Sequence, residues 1–270
     1  MHTPVLLQQA IERLDVKKDG LYIDSTYGEG SYTKEILKRG GKVLAIDLDK
    51  RQLENFKVNG LTGLKLVQGN FAEIEKIAKE NSFFPVDGVV FDLGLSMGQI
   101  NQPGRGFSYK LLDDPLDMRM DLENEVTARD LVKRSSVEEL YQIFAANSEE
   151  IKSKQIAIEV KASRRMDTVG DLLKAIDRAA GFQSKTIYAR IFQALRIEVN
   201  QEFENLRQGL AGAVKILKKE GKIVVVTFHS LEDRIVKNFT RNNQLKLLDK
   251  KPIRGLRSFE RSAKLRTIII

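Results

Sequence analysis

Chemistry in this chain concentrates where its short apolar runs stop. The stretch "LYIDSTYGEGSYTKEIL" (residues 21–37) passes from an apolar run to Asp24, then through Gly28 and Gly30 to hydroxyl residues that open a helix. A strand, a glycine-rich turn and a helix N-terminus is how α/β proteins hold nucleotide-like ligands, because glycines admit close backbone approach and the helix start offers unpaired N–H groups. A dinucleotide site wants a third glycine, and Thr33 stands there instead. Asp47 ends the next apolar run, where a carboxylate can accept two ribose hydroxyls. Phe71, in "QGNF", follows the third run and would lie beside a purine ring. Asp92 ends the fourth, at the carboxyl edge where such sheets bind ligands. Taken singly, Asp47 reads equally well as a turn or helix cap, and Phe71 as a core residue. Together the four positions make a constellation.

The elements that must position these groups alternate over the first hundred residues. Strands are expected at 21–24, 42–47, 64–69 and 87–94, and helices at 33–40, 51–60 and 72–81. Strands joined by short helical crossovers pair in parallel, so the fold class is α/β with a doubly wound sheet. The near-continuous apolar runs of the second and fourth strands fit burial on both faces. The rhythm then breaks. Residues 95–121 hold glycines, prolines and no clear period, and read as a long loop, ordered or disordered. Helical patterns follow at 127–134, 137–147, 149–164 and 168–180, with Thr127, Ser136 and Thr168 as N-caps. A long helical pattern over 191–221 returns the chain to strand 222–228, helix 231–242 and closing strands at 245–249 and 263–270. This predicts a discontinuous sheet domain, 1–103 with 201–270, interrupted by an all-helical insertion at 104–200.

Composition narrows the function classes. There is no cysteine, which excludes disulfides and cysteine-built zinc sites, and His2 and His229 are too few for a histidine-built one. The N-terminal residues do not read as a signal peptide, and no apolar run is long enough to span a bilayer, so a cytoplasmic protein is expected. The net charge is +8, and its placement is uneven: residues 201–270 carry 16 basic and 7 acidic side chains, whereas the preceding residues nearly balance. Eight of the basic residues fall between Lys246 and Arg266, among them Lys250, Lys251 and Arg254. Such a segment attracts a polyanion, RNA or DNA above all, or is simply a solvated face.

The pattern Asp24-x-x-x-Gly28-x-Gly30 resembles the first motif of S-adenosylmethionine-dependent methyltransferases. The strings "HTPVLLQQAI" (2–11), "DLGLSMGQINQPGRGFSYKLLDDPLDMRMD" (92–121), "FQALRIEVNQE" (192–202), "TFHSLEDRIVK" (227–237) and "RSAKLR" (261–266) resemble the ribosomal RNA small-subunit methyltransferase H family, also called MraW. The resemblance covers nearly the whole chain. It implies a class I, Rossmann-like methyltransferase sheet with an inserted helical domain that recognises RNA. The implied activity is methyl transfer from S-adenosylmethionine to N4 of a cytidine in the decoding region of 16S rRNA, within the small ribosomal subunit. Carried over, the cofactor residues are Gly30, Ser31, Tyr32, Asp47, Phe71, Asp92 and Gln99. Relatives usually read Gly-Gly-His where this chain has Gly30-Ser31-Tyr32, which alters any contact made by the histidine ring. The usual "HPATR" is "TIYAR" at 186–190, and the usual Gly-Glu-Glu is Ser148-Glu149-Glu150.

In such a reaction an amino nitrogen attacks a sulfonium methyl, so the site must align a delocalised lone pair and accept N–H hydrogen bonds as positive charge develops. Asp92 stands at the right strand end, and Asp117 in "PLDMRMD" is the next acceptor. Arg119 would bind phosphate or order the loop, and the pair reads equally as a salt bridge closing it. His229 would hydrogen-bond the base or a phosphate, with Ser230 as the cap of the following helix. Arg105 and Phe107, in "GRGFS", would contact a phosphate and stack on a base, or Phe107 would anchor the loop in the core. No metal is required by this chemistry; the "DDPLDMRMD" acids could suggest magnesium, but their spacing is not diagnostic. Two other readings stay open: a methyltransferase for another RNA or a small molecule, and a non-catalytic rRNA-binding assembly factor. Oligomeric state, including a dimer, is left open as well.

Overall fold

The structure is a computed structural model that describes residues 5–54, 62–255 and 260–270. Two compact units divide the chain, one formed by Met1–Gly94 with Phe203–Ile270 and the other by Leu95–Glu202.

In chain order, the first unit begins with α1 (Leu7–Leu14), β1 (Leu21–Asp24), α2 (Ser31–Lys38), β2 (Lys42–Asp47), α3 (Lys50–Glu54), β3 (Leu64–Gln68), a short 3₁₀ turn at Phe71–Glu73, α4 (Ile74–Glu80) and β4 (Val86–Asp92). The second unit holds α5 (Met97–Asn101), α6 (Ala128–Arg134), α7 (Val137–Ser148), α8 (Ser153–Ala162), α9 (Val169–Ala180) and α10 (Lys185–Asn200). The chain then resumes the first unit with α11 (Glu202–Ile216), β5 (Leu217–Thr227), α12 (Ser230–Asn242), β6 (Lys246–Leu247), β7 (Ile253–Arg254) and β8 (Lys264–Ile269).

The sheet runs β3-β2-β1-β4-β5-β8-β6, with β7 also paired to β8. The first five strands are parallel, and β8 is antiparallel to β5, with Val225 opposite Arg266. Chain order reverses between β1 and β4, which makes their carboxyl ends the ligand-binding crevice of a doubly wound sheet. The apolar runs are buried on both faces because alternate residues point to opposite sides. Leu44 and Ile46 of β2, Val89 and Phe91 of β4, and Ile223 and Val225 of β5 enter one core with Ile74 and Ile77 of α4 and Leu206 and Leu210 of α11. Val43, Ala45, Val90, Val224 and Val226 enter the other, with Ala10, Ile11 and Leu14 of α1 and Ile36 of α2.

In the second unit, Leu140 and Phe144 of α7, Ile156 and Val160 of α8, Leu172 and Ile176 of α9, and Ile191 and Leu195 of α10 form one core. Thr127, Ser136 and Thr168 cap their helices, each in a reciprocal box with the acid three residues on.

Several expectations shift. The helical pattern over 191–221 is two helices, because Gln201 takes a left-handed backbone with φ of 49°. The second of them ends at Ile216, so Gly221 lies inside β5 rather than stopping a helix. The helix expected over 51–60 is described only to Glu54, its remainder lying outside the described residues. The stretch 95–121 contains α5, which is capped by Ser96 and Gln99. The chain passes from one unit to the other at 94/95 and 202/203, whereas the sequence-based boundaries fall at 103/104 and 200/201.

Candidate active site

At the end of β1, Asp24 is fully buried, and its Oδ2 accepts from the backbone N–H of Thr33 at 3.1 Å and its hydroxyl at 2.6 Å. Thr33 thus takes the third-glycine position and anchors α2 to the strand through a carboxylate. Across the turn, Asp47 Oδ2 accepts from Gly28 N–H at 2.7 Å and Oδ1 from Asp49 N–H at 2.8 Å. The two acids therefore brace the glycine turn from both sides. Burial raises each to about 6, against the opposing pull of their hydrogen bonds. Gly30 caps α2 with φ of 72°, and a Cβ there would stand 2.7 Å from the Tyr27 hydroxyl, so no other residue fits this turn unstrained.

At the end of β4, the backbone N–H of Asp92 donates to Thr26 Oγ1 at 2.7 Å, which fixes its Cα beside the turn. Its Oδ1 is buried without a hydrogen-bond partner among the described residues. Burial, reinforced by the negative charges of Asp24 and Glu232, pushes this carboxyl well above the usual range. A cluster of buried carboxylates at one strand edge, with an acceptor atom unspent, suits a cationic ligand that brings hydrogen-bond donors.

His229 follows β5 and is the N-cap of α12, so the expectation of Ser230 there is corrected by one residue. Its Nδ1 accepts from Glu232 N–H at 3.4 Å, while Glu232 Oε2 accepts from the N–H groups of Phe228 at 2.8 Å and His229 at 3.3 Å. The box that opens α12 is thus His-x-x-Glu, one register before the Ser-x-x-Asp that sequence suggests. His229 Nε2 lies 3.2 Å from Glu232 Oε1, and Phe203 packs against the ring with centroids 5.8 Å apart. Glu232 and Thr26 are the residues that sequence reasoning missed. The signal for Glu232 was present in "FHSLEDR", masked because Ser is the commoner cap.

Ser31 and Tyr32 form the first turn of α2. The Tyr32 hydroxyl donates to Val5 O at 2.8 Å and its ring is buried, so this residue ties the N-terminal segment to the glycine turn. Phe71 is partly buried and meets Phe91 edge-on at 5.6 Å, so one side of its ring belongs to the core.

The remaining candidates belong to the second unit. Asp117 and Arg119 form a bidentate pair with both N···O distances at 2.9 Å, and Arg119 Nη1 also donates to the carbonyls of Leu122 at 3.2 Å and Asn124 at 2.6 Å. Of the two expectations for Arg119, the guanidinium geometry is that of a loop organiser. Of the two expectations for Phe107, its place in the structure is that of a core anchor, and Arg105 beside it is buried as well. Arg105 is 3% exposed and donates to the carbonyls of Arg119 at 2.6 Å and Met120 at 3.2 Å, while Phe107 is 8% exposed and lies in the helical core. Gly106 between them has φ of 68°, and a Cβ would come within 2.3 Å of Pro115 O. Gln99 is buried and completes the α5 cap by accepting from Ser96 N–H at 3.0 Å.

In the basic segment, Lys246, Lys250, Lys251, Arg254 and Arg261 are exposed. Arg266 is not part of that surface, being 6% exposed and paired with Asp233 at 2.5 Å. Arg257 and His2 lie outside the described residues. Among the described residues, no group of three His, Asp or Glu side chains is arranged to hold a metal, and no helix is long and apolar enough to cross a membrane.

The sequence matches the MraW methylase family over residues 1–268. It is 42% identical to the ribosomal RNA small subunit methyltransferase H of Carboxydothermus hydrogenoformans, covering 90% of this chain and 81% of that protein. Against the protein of the same name from Clostridium botulinum strain Loch Maree, identity is 38% with 98% and 97% covered. A crystal structure from Clostridium thermocellum, assigned as a candidate rRNA methylase, superposes with a TM-score of 0.50 at 14% identity and full coverage of both chains, a likeness of fold.

Proposed function

From the premise that this chain belongs to the MraW methylase family, we propose that it methylates N4 of a cytidine in the decoding region of 16S rRNA, using S-adenosylmethionine. The observation that carries the reading is Asp92, a half-buried residue whose buried Oδ1 has no hydrogen-bond partner among the described residues, beside a braced glycine turn. The first-turn backbone of Gly30, Ser31 and Tyr32 would face the donor's amino-acid part, Asp47 the ribose and Phe71 the adenine. When bound, the cofactor supplies an electrophilic methyl group on a cationic sulfur. Asp92 Oδ1 would accept an N–H of the attacking amine and orient its lone pair, and once the N–C bond has replaced the S–C bond the amine's proton would pass to this carboxylate or to water. His229 and Glu232 hold the start of α12 rather than move the proton, and Asp117 with Arg119 keeps its loop in shape. The test is incubation with labelled S-adenosylmethionine and small ribosomal subunits lacking the modification, followed by nucleoside mass spectrometry. N4-methylcytidine is expected. Label in another nucleoside would overturn the position, and cofactor binding with no transfer would favour the assembly-factor reading.

Cofactor affinity should depend on pH. Asp24 and Asp47 stand at about 6, above ordinary carboxylates, so both ionise as pH rises through that value. A cationic ligand prefers the ionised site, and calorimetry should show binding tightening about tenfold toward neutral pH before levelling. Asp47→Ala removes both the ribose acceptor and the brace on Gly28, so an affinity loss of about tenfold or more is expected. Unchanged affinity would remove Asp47 from the site.

Replacing Lys250, Lys251 and Arg254 by alanine should weaken RNA binding and lower its salt slope by about 2, at roughly 0.7 per single-strand phosphate contact. An unchanged slope in a salt titration would make this segment a solvated face.

A further inference from the structure

The second unit carries a surface that the reading above does not use. Between α7 and α8, Ile151 is 93% exposed, and between α9 and α10, Phe182 is 58% exposed. Lys152 joins the two turns: its Nζ donates to Ala180 O at 2.6 Å and lies 5.1 Å from the Phe182 ring centroid. Arg190, one face of α10 further on, reaches back to Glu150 at 3.0 Å. The two turns are therefore fastened together, and the exposed ring is held from one side by a cation.

Burying an apolar ring against solvent-exposed neighbours gains nothing for this unit, whose core is closed without it. The surroundings decide what such a ring can meet. Lys154 and Lys185 flank the two turns, are exposed, and make no ion pair among the described residues. Glu150 is buried and neutralised by Arg190, which leaves Glu149 as the exposed acid of the turn. An exposed aromatic ring with Lys152 against it, on two turns that also carry the exposed Lys154 and Lys185, can take an unstacked base on the ring and its phosphates on the lysines. A protein partner or a second copy would need an acidic counterpart to the same lysines.

We propose that Phe182, with Lys152 against its ring and Lys154 and Lys185 at the starts of the adjoining helices, is a stacking platform for a single-stranded RNA segment outside the reacting nucleotide. The proposal deepens the RNA-methylating reading and rests on it for the identity of the RNA in the cell.

The test measures binding and turnover separately. Binding of a fluorescein-labelled single-stranded RNA 20-mer is followed by anisotropy for wild type, Phe182→Ala, Phe182→Tyr and the pair Lys154→Ala/Lys185→Ala. Phe182→Ala should weaken binding about fivefold or more, and Phe182→Tyr should restore it, because stacking needs only the ring. The lysine pair should lower the salt slope by about 1.4. With small ribosomal subunits as substrate, Phe182→Ala should raise KM and leave kcat and cofactor affinity unchanged. RNA affinity that Phe182→Ala leaves intact overturns the proposal, as does wild type that fails to bind the 20-mer. A concentration-dependent mass increase lost in Phe182→Ala, with RNA affinity unaltered, would make the surface an interface between copies instead. If wild type binds the 20-mer through Phe182 but methylates no small subunit, the platform stands and the proposed function falls.

Discussion

Asp92→Asn is expected to lower kcat for methyl transfer by about two orders of magnitude or more, with cofactor affinity changed far less. The substitution keeps the shape of the side chain and leaves the backbone bond to Thr26 Oγ1 in place. What it removes is an acceptor at the one buried Asp92 oxygen that has no partner. An amide can turn a donor toward the incoming amine, which costs the alignment that a delocalised nitrogen needs. The same substitution should stabilise the protein. Asp92 stands well above the usual carboxylate range because burial and the charges of Asp24 and Glu232 disfavour its ionised form. A folded-state pKa raised above the unfolded value means that stability falls as pH rises through the interval between them. At neutral pH the neutral amide is free of that cost, so its melting temperature should equal or exceed that of wild type. Stopped-flow or single-turnover kinetics with thermal melts read both arms. A normal kcat with weakened cofactor binding would make Asp92 a cofactor ligand and no part of the amine's orientation.

The sheet was legible because its signal is local. Strands such as "KVLAID" and "DGVVFDLG" announce themselves by apolar runs, and their parallel order follows from the crossovers between them. Thr127, Ser136 and Thr168 were legible for the same reason, since a cap and its N3 acid lie within four residues. The misreadings are those where a distant partner decides. Arg105 reads as a free cation next to Phe107, whereas its Nη2 donates to the carbonyls of residues 119 and 120, fourteen and fifteen positions on. Gln201 gives no sequence warning of its left-handed backbone, so two helices read as one. His229 reads as a lone titratable group in a distinctive string, and the same string encodes a helix start, with Glu232 bonding two backbone N–H groups.

Asp233, in the same string, should have the largest effect on stability. Its Oδ1 lies 2.5 Å from Arg266 Nε and its Oδ2 3.5 Å from Lys264 Nζ, which bolts α12 onto β8. Burial would raise this carboxyl, but Arg266 and Lys264 outweigh burial and hold it below the usual range. Its contribution is therefore present above the unfolded pKa and is lost as pH falls through the folded one. Asp233→Ala leaves Arg266, whose side chain is 5% exposed, buried without its counter-charge, and a loss of about 3–5 kcal/mol in denaturant melts is expected. The pair is not fully satisfied, because Arg266 Nη1 has no hydrogen-bond partner among the described residues. Replacing both members by apolar residues of similar volume, Asp233→Leu with Arg266→Met, should then recover most of the loss. If the single variant melts like wild type, the pair does not hold α12. If the double variant is as unstable as the single one, the geometry of the ion pair, and not the burial of an unpaired charge, is what the fold requires there. Because α12 carries His229 and Glu232 at its start, the recovered double variant also asks whether that helix start needs the bolt. Methyl transfer restored together with stability would assign the whole "HSLED" string to architecture, leaving Asp92 as its neighbour in the chemistry.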